Sequence, residues 1–291
     1  MTFHFHRDSI YTGTARFDGS ARALTEDEVF KSAPSIFATT AHESRSARFA
    51  PIPTIEVLRG LQKEGFSPVG VKQSTSRIPG KENFTKHLIR LRRLDDAAKY
   101  KVGDTVFEML LKNANDGTCR YSLMAGLFRI ACKNSLVALV DTLDDVKIGH
   151  SGALENVQHK VIEGTYRVLD NAEAALAAPQ DWSQLQLAGP EQLAFAEAAH
   201  VLRFEEGTAP VEPVKLLQRN RREDVPNDLW TVFNRVQENT IKGGLHGQRI
   251  DDNGRVRRVT TRPINGIDQD VKLNRAMFTL AAKMAEIKTA A

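Results

Sequence analysis

The sequence predicts an α+β fold: a small, mainly antiparallel sheet in the order helix, three strands, buried helix, then a helical second half with one basic β-hairpin. Three observations predict it. Period-two alternation recurs between residues 66 and 113, helical stripes dominate beyond residue 153, and Asn253-Gly254 stands between GQRI and RVRRVTTR. The implied organisation is a partly ordered N-terminal segment, 1–41, an α+β core domain, 42–176, and a mainly helical part, 177–291, with its hairpin near 243–262.

Residues 1–41 mix Ser, Thr, Ala and charges without a sustained period, although TEDEVF starts a short helix with Thr25 as its cap. In FAPIPTIEVLRGLQKEGF, Thr54 caps a helix that puts Ile55, Leu58 and Leu61 on one face and ends at Gly65. FSPVGVKQSTSR is the first strand, and the loop around Pro79-Gly80 turns the chain into FTKHLIRLRR. In that second strand His87, Ile89 and Leu91 point one way, and Lys86, Leu88, Arg90 and Arg92 the other, an apolar side and a basic side. DTVFEMLLKNA is the third strand, closed by the turn Asn115-Asp116-Gly117.

The run Tyr121 to Val140 carries Leu123, Met124, Leu127, Ile130 and Ala131 at helical spacing and reads as the buried helix, with SLVALV as a separate strand. A long helix follows from about Ala153 to Leu176, with Leu154, Val157, Val161, Ile162, Tyr166 and Leu169 on its stripe. Further helices are expected at Glu191 to Phe204, in VKLLQRNRRED, in DLWTVFNRVQENTIKG and from about Asp268 to Lys288.

With 291 residues, 41% hydrophobic and 26% charged, the chain can bury a real core. No apolar run is long enough to span a bilayer, and MTFHFHRDSI lacks the apolar centre of a signal peptide, so a cytoplasmic protein without a membrane partner is expected. Cys119 and Cys132 form no CxxC pair and read as packing residues.

No motif argues for an enzyme. His4 and His6 make an HxH pair with no third ligand at a fixed local spacing, and GGLHG fits neither GxGxxG nor a phosphate loop. Nucleophile motifs are absent as well. Catalytic residues, metal and cofactor are therefore all expected to be none.

Charge is the informative feature. The net charge is only +4, but His42 to Arg93 holds 11 Lys plus Arg against 4 Glu, and Thr240 to Arg262 holds 6 against 2 acids. Segregation of this kind is what a localised anion-binding face looks like in sequence. The candidate nucleic-acid-binding residues are Lys72, Arg77, Lys86, Arg90 and Arg92 on and around the sheet, and Arg249, Arg255, Arg257 and Arg258 on the ribbon. The function read from them is sequence-independent binding of nucleic acid, with single-strand binding or annealing as its sharper form. An uneven basic surface steers equally toward an acidic host protein, so a protein-interaction module is the alternative. A nuclease whose carboxylates meet only in the fold is a third class, and a second copy of the chain is a further expected partner.

Several blocks, Ser46 to Arg77, FTKHLIRLRR, NDGTCRYSLMAGLFRIACKNSLV, LWTVFNRVQENTIKGGLHG and NGIDQDVKLNRAMFTLAAKMAE, resemble a family of phage, plasmid and prophage proteins, the YfjQ and YafZ type, domain-of-unknown-function family 932. The resemblance covers roughly residues 35 to 288. It implies a bacterial mobile-element setting and brings no catalytic residues to carry over. The expected order, helix, three strands, buried helix, is also similar to the core of ring-forming single-strand annealing proteins.

Overall fold

The computed structural model describes residues 22–93, 105–129, 135–136, 146–151, 154–170, 172–205, 209–250 and 254–290. The chain divides into two compact units, 1–135 with 139–175 and 136–138 with 176–291.

In the first unit, helix α1 (Glu26–Ser32) opens with a reciprocal cap. The Glu28 backbone N–H donates to Thr25 Oγ1 at 3.3 Å, and the Thr25 N–H donates to the Glu28 carboxylate at 2.9 Å. Val29 of α1 and Ile36 of the 3-10 turn behind it are fully buried in the core, so the organised part begins upstream of residue 41. Helix α2 (Thr54–Lys63) buries Ile55, Leu58 and Leu61 as its stripe predicts, and Gly65 ends it at φ 86°. Thr54 is its first residue and not its cap. Pro53 precedes it, and the Thr54 hydroxyl is used inside the core instead.

The sheet runs β1 (Phe66–Gln73), β2 (His87–Arg93), β3 (Thr105–Asn113), β4 (Tyr121–Arg129), β5 (Ser135–Leu136), with β6 (Val146–Ile148) also paired to β4. The pairs β1–β2, β2–β3, β3–β4 and β4–β6 are antiparallel. Tyr121 to Arg129 is therefore a strand, and the expected buried helix is absent there. The reason is burial on both faces. Tyr121, Leu123 and Ala125 join the core, while Ser122 and Met124 on the opposite face are buried too, so the polar alternation that marks a strand is missing. The order-of-elements likeness to annealing proteins rested on that helix and falls with it. Of SLVALV, Ser135–Leu136 is a strand, and the remainder lies outside the described residues.

One face of the sheet presents Phe66, Val71, Ile89, Leu91, Met109 and Leu111 to a core shared with α2 and with helix α3 (Leu154–Asp170) through Val161 and Val168. Gly164 marks the contact of α3 with β6, since a Cβ there would overlap the Val146 side chain. Tyr166 is half exposed and stands off the buried stripe on which it was expected.

Helix α4 (Ala172–Ser183) leads into the second unit, followed by α5 (Gly189–Arg203), α6 (Leu229–Lys242), the ribbon β7 (His246–Ile250) and β8 (Val256–Thr260), and α7 (Ile267–Ala290). Its core is aromatic. Trp182 lies 4.8 Å from Phe278 and 5.8 Å from Phe233 between ring centroids, and Phe195 packs edge-on to Phe233. Helix α6 is buried from Leu229 to Ile241, its polar residues included. Asn239 donates to the carbonyls of Leu216 and Gln218 at 2.9 and 2.8 Å, Gln237 donates to Asn274 at 2.7 Å, and Glu238 pairs with Arg221 and Lys242. Those contacts explain why VKLLQRNRRED is not an α-helix. It forms two short 3-10 turns, Pro213–Leu217 and Arg222–Asp224, whose connecting carbonyls bond to Asn239 and not to a helix of their own. No helix among the described residues is long and apolar enough to cross a membrane.

Candidate nucleic-acid interface

The β2 arginines are held in the sheet. Arg90 Nε and Nη2 donate to the two carboxylate oxygens of Glu108 at 2.6 and 2.9 Å, and Arg92 Nε reaches the same carboxylate at 2.9 Å. The Arg90 and Arg92 side chains keep 13% and 8% of their exposure and Glu108 keeps none. Gly70 lies opposite Arg90 in β1, where a Cβ would come within 3.3 Å of Arg90 Cδ, so the glycine makes room for the guanidinium stem. The expectation of an open basic side on β2 is thus corrected: alternation is as predicted, but Leu88 and Arg92 on that side are buried and a carboxylate sits between the arginines. Glu108 went unnoticed in the sequence because it is one acid in an apolar strand. Only the β2–β3 register makes it a partner.

On the other side of β2, His87 is fully buried. Ser35 Oγ lies 2.8 Å from its Nδ1 and Thr54 Oγ1 lies 2.9 Å from its Nε2, while Asn113 Nδ2 donates to Thr54 Oγ1 at 2.9 Å. Burial pushes the imidazole down to about 4, against the smaller opposing pull of the Thr85 carbonyl and Asp116, so it is neutral at pH 7. This serine, histidine and threonine have no route to solvent and knit the 3-10 turn, α2, β2 and β3 together.

The remaining sheet candidates lie nearer the surface. Lys72 and Lys86 are half-buried, and Arg77 is exposed in the β1–β2 loop. The pairings Lys72↔Leu88↔Lys112↔Ser122↔Lys147 form one row across the sheet, so Lys112 and Lys147 share the face of Lys72. That row needs four registers and has no signal in the linear sequence.

The ribbon differs. Arg249, Arg255, Arg257 and Arg258 are all exposed. Arg249 stands directly opposite Arg257, and the neighbouring pair, Gln248 opposite Arg258, points to the other face. The ribbon therefore displays cations on both faces and not on one. The turn expected around Asn253 falls on residues 251–253, outside the described residues; Gly254 has φ 73°.

The base of the ribbon borders a cleft of about 840 Å3 in which Arg258, Gln248, His246 and Thr260 meet Pro210, Val211, Glu212 and Lys215. His246 Nδ1 lies 3.1 Å from Thr260 Oγ1. Among the described residues no cluster of three or more His, Cys, Asp or Glu could hold a metal ion.

The family model described as "Domain of unknown function (DUF932)" matches residues 41–278, a span that contains both the Arg90–Glu108–Arg92 triad and the ribbon. The chain belongs to the DUF932 family. This DUF932 protein is 42% identical to the UPF0380 protein YafZ of Escherichia coli (strain K12) over 269 residues, covering 92% of the chain and 94% of YafZ. It is 41% identical, over the same shares, to the UPF0380 protein YfjQ of the same organism. No solved structure matches this DUF932 chain.

Proposed function

We propose that the protein is a non-enzymatic, sequence-independent nucleic-acid-binding protein of the cytoplasm, carried by a mobile element, with the β7–β8 ribbon as its contact element. One observation carries the reading: Arg249 and Arg257, both exposed, face each other across the ribbon. A phosphate that reaches these two exposed guanidiniums accepts charge-assisted hydrogen bonds from both. Arg255 and Arg258 extend the positive potential along the ribbon. A two-stranded basic ribbon has the dimensions to lie along a nucleic-acid groove or backbone.

The test is fluorescence anisotropy of the full chain with single- and double-stranded oligonucleotides of unrelated sequence. Affinity falls steeply with salt and depends little on sequence if the reading holds. Absence of binding at about 50 mM salt overturns it. A stoichiometric acidic protein retained from host lysate after nuclease treatment, with no oligonucleotide affinity, would replace it with the protein-partner alternative.

A further inference from the structure

We propose that the cleft between the ribbon and the 209–215 segment is a nucleotide site that takes one unstacked nucleoside phosphate of the bound strand; this deepens the ribbon reading and rests on it. The cleft is built into the fold. The Gln248 N–H donates to the Pro210 carbonyl at 2.9 Å, and a Cβ at Gly247 would overlap that same carbonyl oxygen, so the segment lies flush against β7 only because residue 247 is glycine. The segment is also anchored from behind. His200 Nε2 lies 2.7 Å from the Val211 carbonyl, and Val211 and Leu216 are buried.

The contents match a nucleoside phosphate better than a bare anion. Arg258 and Lys215, both exposed, supply two cationic donors against the single acid Glu212. Register places Arg258, Gln248, His246 and Thr260 on one face of the ribbon. The contact of His246 with Thr260 orients an imidazole plane, and an imidazole or a guanidinium plane is a surface on which an unstacked base lies. The Gln248 amide offers both a donor and an acceptor to a base edge without selecting one base. A volume of about 840 Å3, walled in part by Pro210, Val211 and Val259, is in the range of small-molecule sites and far exceeds what an inorganic ion fills. Sequence-tolerant strand binding needs platforms for bases beside the charges that track phosphates. Arg249 and Arg257 do not line the cleft and supply charge alone, and the cleft supplies the platform.

The test titrates the full chain with thymidine and adenosine 5′-monophosphates, with the free nucleosides and inorganic phosphate as separate arms, by calorimetry and by NMR of the imidazole resonances. The expected result is saturable binding of both nucleotides with similar affinity, at least tenfold tighter than either phosphate or nucleoside. His246→Ala weakens both nucleotides by about tenfold, and Arg258→Ser reduces them to nucleoside level, with the thermal midpoint of each variant unchanged. Phosphate binding as tightly as the nucleotides, no saturable nucleotide binding, or full affinity in His246→Ala each overturns the proposal. Loss of oligonucleotide binding in the wild-type chain with nucleotide binding retained would overturn the ribbon reading alone, and the converse would overturn the cleft alone.

Discussion

Strand β2 and the ribbon are both arginine-rich stretches of the chain, and the structure treats them in opposite ways. Arg90 and Arg92 straddle a buried carboxylate, whereas Arg249 and Arg257 face each other in solvent. Composition does not separate the two cases. The neighbour across the ladder does: β3 brings Glu108 to β2, and β8 brings another arginine to β7. A cation in a strand is structural when a carboxylate across the ladder pairs with it and burial takes it out of water, as for Arg90 and Arg92, whereas the ribbon arginines keep their exposure.

The largest test of that contrast is Glu108→Ala. It leaves two nearly buried guanidiniums without their carboxylate and should cost about 3 to 5 kcal/mol, read as a lower urea midpoint at unchanged slope. Arg90→Ser with Arg92→Ser should likewise destabilise, by stranding Glu108. A double variant that unfolds at the wild-type midpoint would place the β2 arginines in the same class as those of the ribbon.

The opposite face of β2 gives a second test, by pH. His87 titrates near 4 in the folded chain and near 6.5 when unfolded, so between those values the unfolded chain holds a proton that the native chain does not. Stability from this group is complete above about pH 6.5 and is lost as pH falls toward 4, by about 3 kcal/mol in all. Midpoints measured from pH 7 to 4 should trace that loss, and His87→Gln should remove most of the slope. An equal slope in the variant would assign the acid sensitivity to carboxylates.

On the ribbon the stability effect should be the smallest. Arg249→Ser with Arg257→Ser replaces two exposed side chains and should shift the midpoint by no more than about 0.5 kcal/mol. Its consequence lies in binding, where the salt dependence should flatten by about two phosphate contacts. A ribbon pair that costs as much stability as Glu108→Ala would erase the distinction between the two regions.

The sequence by itself determined the α+β class, the cap at Thr25, the stop at Gly65, the first three strands, the ribbon and the long helices. Each is specified by residues near one another in the chain: a capping box, a glycine at positive φ, a period of two or 3.6. Tertiary structure decided the rest. Tyr121 to Arg129 is a strand because both its faces are covered, a fact about what packs on it that an apolar run does not encode. Residues 213–224 turn as 3-10 segments because Asn239, far along the chain, takes their carbonyls. The fate of four arginines was likewise set by register, since alternation fixes which side a residue points to, and only strand pairing fixes what it meets there: Glu108 for Arg90 and Arg92, and for Arg249 another arginine.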